Sequence, residues 1–322
     1  MRIKDCIRKS IALIMVFAIL CALSACAEEQ PDFSLDACAG VLLEAVPEPV
    51  YGSVGGEWVA LGLARWEGTV PQEWFDEYYA QVESYVESCN GVLDVHKHTE
   101  YSRVVLALTA IGKDPTDVAG YNLLEPLADF EQTVFQGING PGFALLALDS
   151  GNYEIPDNTA GTTQATREMY VDYILSQEVP GGGWAMGGST ANVDLTAMTL
   201  QALAKYQDRQ DVADAVDRAL DFLSAQQNSS GGFGTGDEEN SESISQVMVA
   251  LAELGIAIDD PRFVKNGNTL KDSILNFLTE DGGFSHTLDS ESDLMATEQA
   301  FYALVALERM EQGKTSLYTM TE

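Results

Sequence analysis

Apolar side chains recur along this chain at the spacing of a helix face, and no stretch keeps the alternation of a half-buried strand. The spacing predicts helices over 34–46, 55–66, 71–88, 99–111, 123–130, 143–148, 163–177, 194–206, 211–226, 242–254, 271–278 and 294–310. Val104, Val105, Leu108 and Ile111, for example, share one face. The punctuation agrees with these limits. Pro47 and Pro49 end the first segment, Pro71 sits where a first helical turn tolerates it, and Asn90-Gly91 makes a turn. Odd members of the series carry more charge, whereas even members are richer in Ala, Leu, Val and Met. Amphipathic helices cover a surface and helices apolar all round are enclosed, so the alternation predicts outer helices wrapped around inner ones. Six such pairs in a closed ring use up residues 34–322 as one all-α domain, an α/α toroid.

A long repeat supports the ring. Tyr173-Ile174-Leu175-Ser176-Gln177 leads to Gly181-Gly182-Gly183-Trp184 and then to the apolar segment 195–203. The same order returns with Phe222-Leu223-Ser224-Ala225-Gln226, Gly231-Gly232-Phe233 and 244–254. It comes again with Phe277-Leu278-Thr279, Asp281-Gly282-Gly283-Phe284 and 294–307. The step is about 50 residues, as expected of stacked helix-pair units.

The N-terminus reads as an address. Arg2, Lys4, Arg8 and Lys9 precede an uncharged apolar run over 11–23, a secretory signal too short for a comfortable membrane span. Leu23-Ser24-Ala25-Cys26 resembles the bacterial lipoprotein box, which makes 1–25 the signal peptide, Cys26 the lipidation site and 26–33 a lipidated tether. That places the domain outside the cytoplasm, held to the cell membrane through its lipid anchor alone. Cys38 and Cys89 are then the only remaining cysteines; a disulfide between the first helices or two buried thiols would account for them. Formal charge is −33 for the whole chain. Without the signal it becomes about −36, which repels phosphate backbones and argues against a nucleic-acid partner.

The loop-and-helix units resemble the prenyltransferase and squalene-cyclase repeats, most clearly over 173–307 and by helix spacing alone over 34–149. The resemblance implies an α/α toroid, and its branches must be tested on their own residues. Zinc prenyltransferases begin their last inner helix with a metal-binding histidine. The corresponding run here is Asp293-Leu294-Met295-Ala296-Thr297, and Ser243-Ile244-Ser245-Gln246 on the preceding inner helix offers no cysteine. Squalene-hopene-type cyclases protonate an alkene with Asp-x-Asp-Asp-Thr-Ala. Asn192-Val193-Asp194-Leu195-Thr196-Ala197 keeps the middle acid and the Thr-Ala but loses both flanking acids. Asp194 therefore reads either as a helix cap or as the acid of a cyclase-like enzyme. The Gly-Cys-Gly-Glu-Gln of thioester proteins does not occur. Cobalamin carriers such as intrinsic factor and transcobalamin use the toroid as one wall, with a separate β-rich domain over the ligand. Resemblance to a bacterial surface-lipoprotein branch with that toroid implies a binding role, with a small-molecule ligand of corrinoid type and, as partner, either a separate chain supplying the missing β-domain or a transporter.

Several residues remain as candidates. Asp194 and Glu242 begin successive inner helices and are the one carboxylate pair suited to acid–base work. Trp184, Phe233 and Phe284 either stack on a ligand at the mouth or pack between repeats. His286 follows Phe284 and faces the same mouth in this scheme; His96 and His98 read as a polar loop rather than a metal pair, because Lys97 separates them. The acidic runs Asp237-Glu238-Glu239 and 289–293 fit no calcium-loop spacing. No cofactor or metal is expected. The sequence therefore predicts a ligand among Trp184, Asp194, Phe233, Glu242, Phe284 and His286 at the inner helices' N-terminal mouth, where helix ends favour an anionic or amide group. An enzyme using Asp194, and a cell-surface interaction module, are the other two readings.

Overall fold

The structure is a computed structural model that describes residues 33–159, 161, 163–235 and 238–321. The signal segment, Cys26, most of the tether and Asp237 lie outside the described residues. Among the described residues, twelve α-helices alternate between an outer and an inner position. The outer set is α1 (Leu35–Ala45), α3 (Gln72–Ser88), α5 (Phe130–Val134), α7 (Arg167–Ser176), α9 (Gln210–Gln226) and α11 (Leu270–Ile274). The inner set is α2 (Trp58–Arg65), α4 (Thr99–Ala110), α6 (Asn139–Ser150), α8 (Val193–Leu203), α10 (Ser241–Glu253) and α12 (Leu294–Glu311). Each inner helix packs on the next, and α12 returns to α2, which closes the ring.

Composition explains which helices go inside. Only a stripe of α9 is buried, namely Val212, Ala215, Val216, Ala219, Leu220 and Leu223, at the spacing of one helix face. In α12 the run from Ala300 to Leu307 is buried without a break, so neighbours cover it on every side. Three elements depart most from the spacing, and the first is α6, which begins at Asn139 rather than 143 and ends at Ser150. Over 123–130, Asp129 is extended and caps the next helix through the Gln132 amide (3.2 Å), splitting the segment into a 3-10 turn, Glu125–Ala128, and the short α5. Helix α7 starts at Arg167 rather than 163, because extended Thr166 caps it. One small antiparallel pairing, Gly234–Thr235 with Glu238–Glu239, sits in a corner.

The repeated glycine corners share one hydrogen-bond pattern. The N–H groups of Val179, Asn228 and Thr279 donate to the carbonyls of Gly183, Gly232 and Gly283 at 3.0, 2.9 and 2.9 Å. Gly182, Gly231 and Gly282 donate back to Val179, Asn228 and Thr279 at 3.1, 3.0 and 3.0 Å. These last three glycines hold φ of 97°, 95° and 85°, a left-handed conformation that side chains disfavour. At Gly182 a Cβ would also stand 2.6 Å from the Arg218 carbonyl oxygen.

The aromatic that follows ties each corner to the next inner helix. The carbonyls of Trp184, Phe233 and Phe284 accept from the cap amides of Asn192, Asn240 and Asp293 at 2.8, 3.1 and 2.9 Å. Those cap side chains accept in turn from Leu195, Ser243 and Ala296 amides. Thr196 and Thr297 add a second tie, their hydroxyls accepting from the Trp184 and Phe284 amides at 3.0 and 2.9 Å. In the middle repeat Ile244 stands there, four residues after Asn240, and has no hydroxyl to offer.

Two further contacts finish the ring. At the α12–α2 seam the Gly55 amide donates to Glu298 Oε2 (2.9 Å), and burial pushes this carboxyl up to about 8. Beneath the ring, the tail after α12 is bound across three inner helices. Arg65 of α2 donates to the Ser316 and Thr319 carbonyls, Glu253 of α10 accepts from Ser316 Oγ, and the Met320 amide donates to the Ser150 carbonyl at the end of α6. The disulfide raised for Cys38 and Cys89 does not form; both thiols are free. Cys38 is buried on α1, the helix that packs on α12, while Cys89 caps the far end of α3 and donates to the Val86 carbonyl. Burial pushes the Cys38 thiol up to about 12, with the nearby Asp281 charge adding to it, so it is inert at neutral pH.

Thr196→Val should destabilise the domain by about 1–3 kcal/mol in urea denaturation, since it orphans the buried Trp184 amide while keeping side-chain shape. Glu298 binds its proton more tightly folded than unfolded, so its contribution to stability is full below an unfolded value near 4.5 and is lost as pH rises toward about 8. Glu298→Gln should therefore flatten the fall in urea midpoint between about pH 5 and about pH 8; an unchanged slope would assign that fall to other groups.

Candidate functional site

The inner helices enclose a cavity of about 480 Å³ that opens at their N-terminal ends. First-turn or cap residues supply its rim: Thr99, Asn139, Asp194, Asn240, Glu242 and Met295. Its wall is aromatic on one side, where the Trp58 ring centroid lies 6.0 Å from both Phe143 and Tyr302. Trp58 is fixed there by its indole N–H, which donates to Ser53 Oγ (3.1 Å).

Amides and phenols make the floor. Gln201 Nε2 donates to the Gln246 carbonyl (3.0 Å) and to Gln246 Oε1 (3.1 Å). Gln246 Nε2 donates to Gln299 Oε1 (3.0 Å) and the Tyr302 hydroxyl (2.7 Å). Tyr318, brought in by the tail, donates to Gln201 Oε1 (3.3 Å) and seals the ring from below. Burial pushes the Tyr302 and Tyr318 hydroxyls well above their usual range, so both stay neutral.

Charge on the lining is arranged in pairs, with one exception. Arg103 donates to Glu57 (2.8 Å) and Glu100 (2.6 Å); burial opposes its charge, but the two carboxylates outweigh burial and raise its pKa. His286 Nδ1 lies 2.8 and 3.0 Å from the two oxygens of Glu242, so that nitrogen carries the proton. Asp194 is the exception. Its Oδ1 is buried without a partner. It does not cap α8, as one sequence reading had it: Asn192 does, and Asp194 sits in the first turn where the helix dipole favours its charge.

The structure thus brings Asp194, Glu242 and His286 to one cavity and leaves the three repeat aromatics out of it. Trp184, Phe233 and Phe284 are wholly buried and line no part of the space. Trp184 spends its indole N–H on the Ile174 carbonyl (2.8 Å) inside the outer layer. His98 is buried against Thr133 Oγ1 (3.2 Å), and His96 lies beside Phe135. Among the described residues, no three His, Cys, Asp or Glu side chains group as metal ligands. Asp293 of the second acidic run is a helix cap, and Glu239 of the first accepts from Ser230.

Sequence reasoning missed the wall and the floor. Gln246 and Gln299 each fall six positions after a cap, Asn240 and Asp293, just before the apolar runs of their helices. That equivalence was a usable signal. Trp58 and Phe143 gave none, because an aromatic on an inner helix usually packs in the core. The mouth also has an apolar collar: apart from Tyr85 on α3, the large apolar side chains exposed among the described residues lie in or beside an outer-to-inner connection, including Val54, Val95, Phe135, Met186 and Leu288.

Comparison with known proteins bears on this ring directly. A family model described as the prenyltransferase alpha-alpha toroid domain matches residues 143–320, from the middle of α6 to the sealing tail. No curated protein matches the chain. A match over more than half of the sequence, on a closed ring of alternating helices, makes this chain a member of the prenyltransferase α/α-toroid family.

Proposed function

We propose that this protein is an extracytoplasmic, lipid-anchored binding protein that holds a compact small molecule in the central cavity of its toroid without transforming it. The cavity carries this reading. It has the volume of a drug-sized site, about 480 Å³, with one open end and a floor whose polar groups are already held in place. Groups fixed before binding lose little freedom on complexation, which suits retention of a ligand. A corrinoid is broader than such a cavity encloses, so it would need a partner chain over the mouth, where the apolar collar lies; a compact ligand needs none. Metal-activated prenyl transfer is disfavoured by Ala296, which stands where that branch has histidine. Lipid attachment at Cys26 rests on the sequence box alone.

One observation favours a second reading, an enzyme of terpenoid-cyclase type. The unpartnered Asp194 oxygen shares a cavity with an aromatic wall, as an acid that protonates an alkene would.

Mass spectrometry of small molecules released from the purified protein should detect one retained species. Its retention should fall about tenfold in Gln246→Leu, which unties Gln299 and Tyr302. A protein that releases nothing, and whose melting temperature answers to no member of a metabolite library, would sink the binding reading. Asp194→Asn separates the two readings: if polyprenyl substrates are turned over at all, it should cut the rate by about a hundredfold or more.

A further inference from the structure

Resting on the reading of the cavity as a ligand site, we infer that its ligand is an alkylated ammonium cation. The charge balance of the lining gives the sign. Arg103 is answered twice, by Glu57 and Glu100, and His286 is engaged with Glu242, which leaves Asp194 as the one lining carboxylate with no partner. Its Oδ1 is buried without a partner while the residue as a whole is only half-buried and lines the cavity, so the carboxylate faces a ligand there with no cation of the protein beside it. Three of the six inner helices, whose N-terminal ends would otherwise draw anions, have acids in their first turns, Glu100, Asp194 and Glu242, and Asp293 caps a fourth. An anionic ligand would add to that negative charge. The mouth is therefore a cation site, contrary to what bare helix ends suggest.

The walls give the kind of cation. Trp58, Phe143 and Tyr302 stand together along one side, and aromatic faces attract cations through their quadrupoles. The side-chain acceptors of the amide ladder below are engaged, Gln246 Oε1 by Gln201, Gln299 Oε1 and the Tyr302 hydroxyl by Gln246, and Gln201 Oε1 by Tyr318, so it supplies a shaped surface rather than a row of vacant acceptors. A cation rich in N–H donors would lose its hydration without replacement there. One whose charge is clothed in methyl or methylene groups loses little, and meets Met198, Met295 and the rings by contact.

The test is calorimetric titration of the purified full-length protein at about 0.15 M salt, which screens general attraction to its acidic surface. The probes are matched pairs: choline and acetylcholine, each against the neutral analogue in which carbon replaces nitrogen. The charged member should bind about tenfold or more tightly than its isostere. In Asp194→Asn, whose Oδ1 has no bond to lose, that preference should fall to about threefold or less with the fold intact by circular dichroism. Phe143→Leu should weaken the charged members more than the neutral ones. Equal affinities within each pair would overturn the cation assignment while leaving the cavity a binding site. Absence of binding by all probes would overturn it too, and the mass-spectrometric search for a retained molecule then decides separately whether the cavity binds anything.

Discussion

The ring depends on how the chain turns from an outer helix into an inner one without leaving a buried amide unpaired. Each inner helix starts with backbone donors that have no partner of their own, and in two of the corners the aromatic's own amide, of Trp184 and Phe284, is buried beside that start. In the three best-formed repeats the solution is shared: the aromatic's carbonyl takes the cap amide, and the cap side chain takes an amide one turn on. Left-handed glycines let the chain reach that geometry. The buried ring of the aromatic then fixes the distance between neighbouring pairs. Because the same joint recurs, the inner helices begin on one face, and their first turns converge on a common space.

A closed ring must also join its ends, and this one does so with polar groups. Glu298 on α12 accepts from Gly55 beside α2, and the tail crosses from α12 beneath α10 to α6. Without the tail the space between the inner helices would lack its floor, since Tyr318 closes it and joins the amide ladder. The cavity is thus a product of closure from below and of converging helix ends above. Its volume belongs to no single repeat.

Electrostatics separates the rim from the interior. Capping and first-turn acids offset the positive ends of the inner helices, so the mouth does not attract anions as free helix ends do. Deeper in, the amides and neutral phenols are tied to each other, which holds the floor in one arrangement. Aromatic faces occupy the side near α2 and α6, and the unpaired carboxylate stands on α8. This polarity, acidic above, self-satisfied below and aromatic at one side, is the chemical character of the site.

Local pattern carried the fold into the sequence. Helical spacing, alternating composition and the Gly-Gly-aromatic step are one-dimensional signals of outer helix, inner helix and corner, and each marks a position whose burial is set by near neighbours. The same locality explains the error at 123–130, where Asp129 capped a new helix within a run that looked continuous. Of the site, Asp194 and Glu242 were legible as polar residues at helix starts, and His286 as a polar residue in the loop after Phe284. Trp184, Phe233 and Phe284 were misleading as ligand contacts, because periodicity records that a residue is packed and not which side of the helix layer it packs on. Which rings face the cavity, that Tyr318 of the tail closes it, that Arg103 is neutralised and Asp194 is left alone: all of these are relations between residues far apart in the chain. Only ring closure brings such groups within hydrogen-bonding distance, so only the tertiary structure decided them.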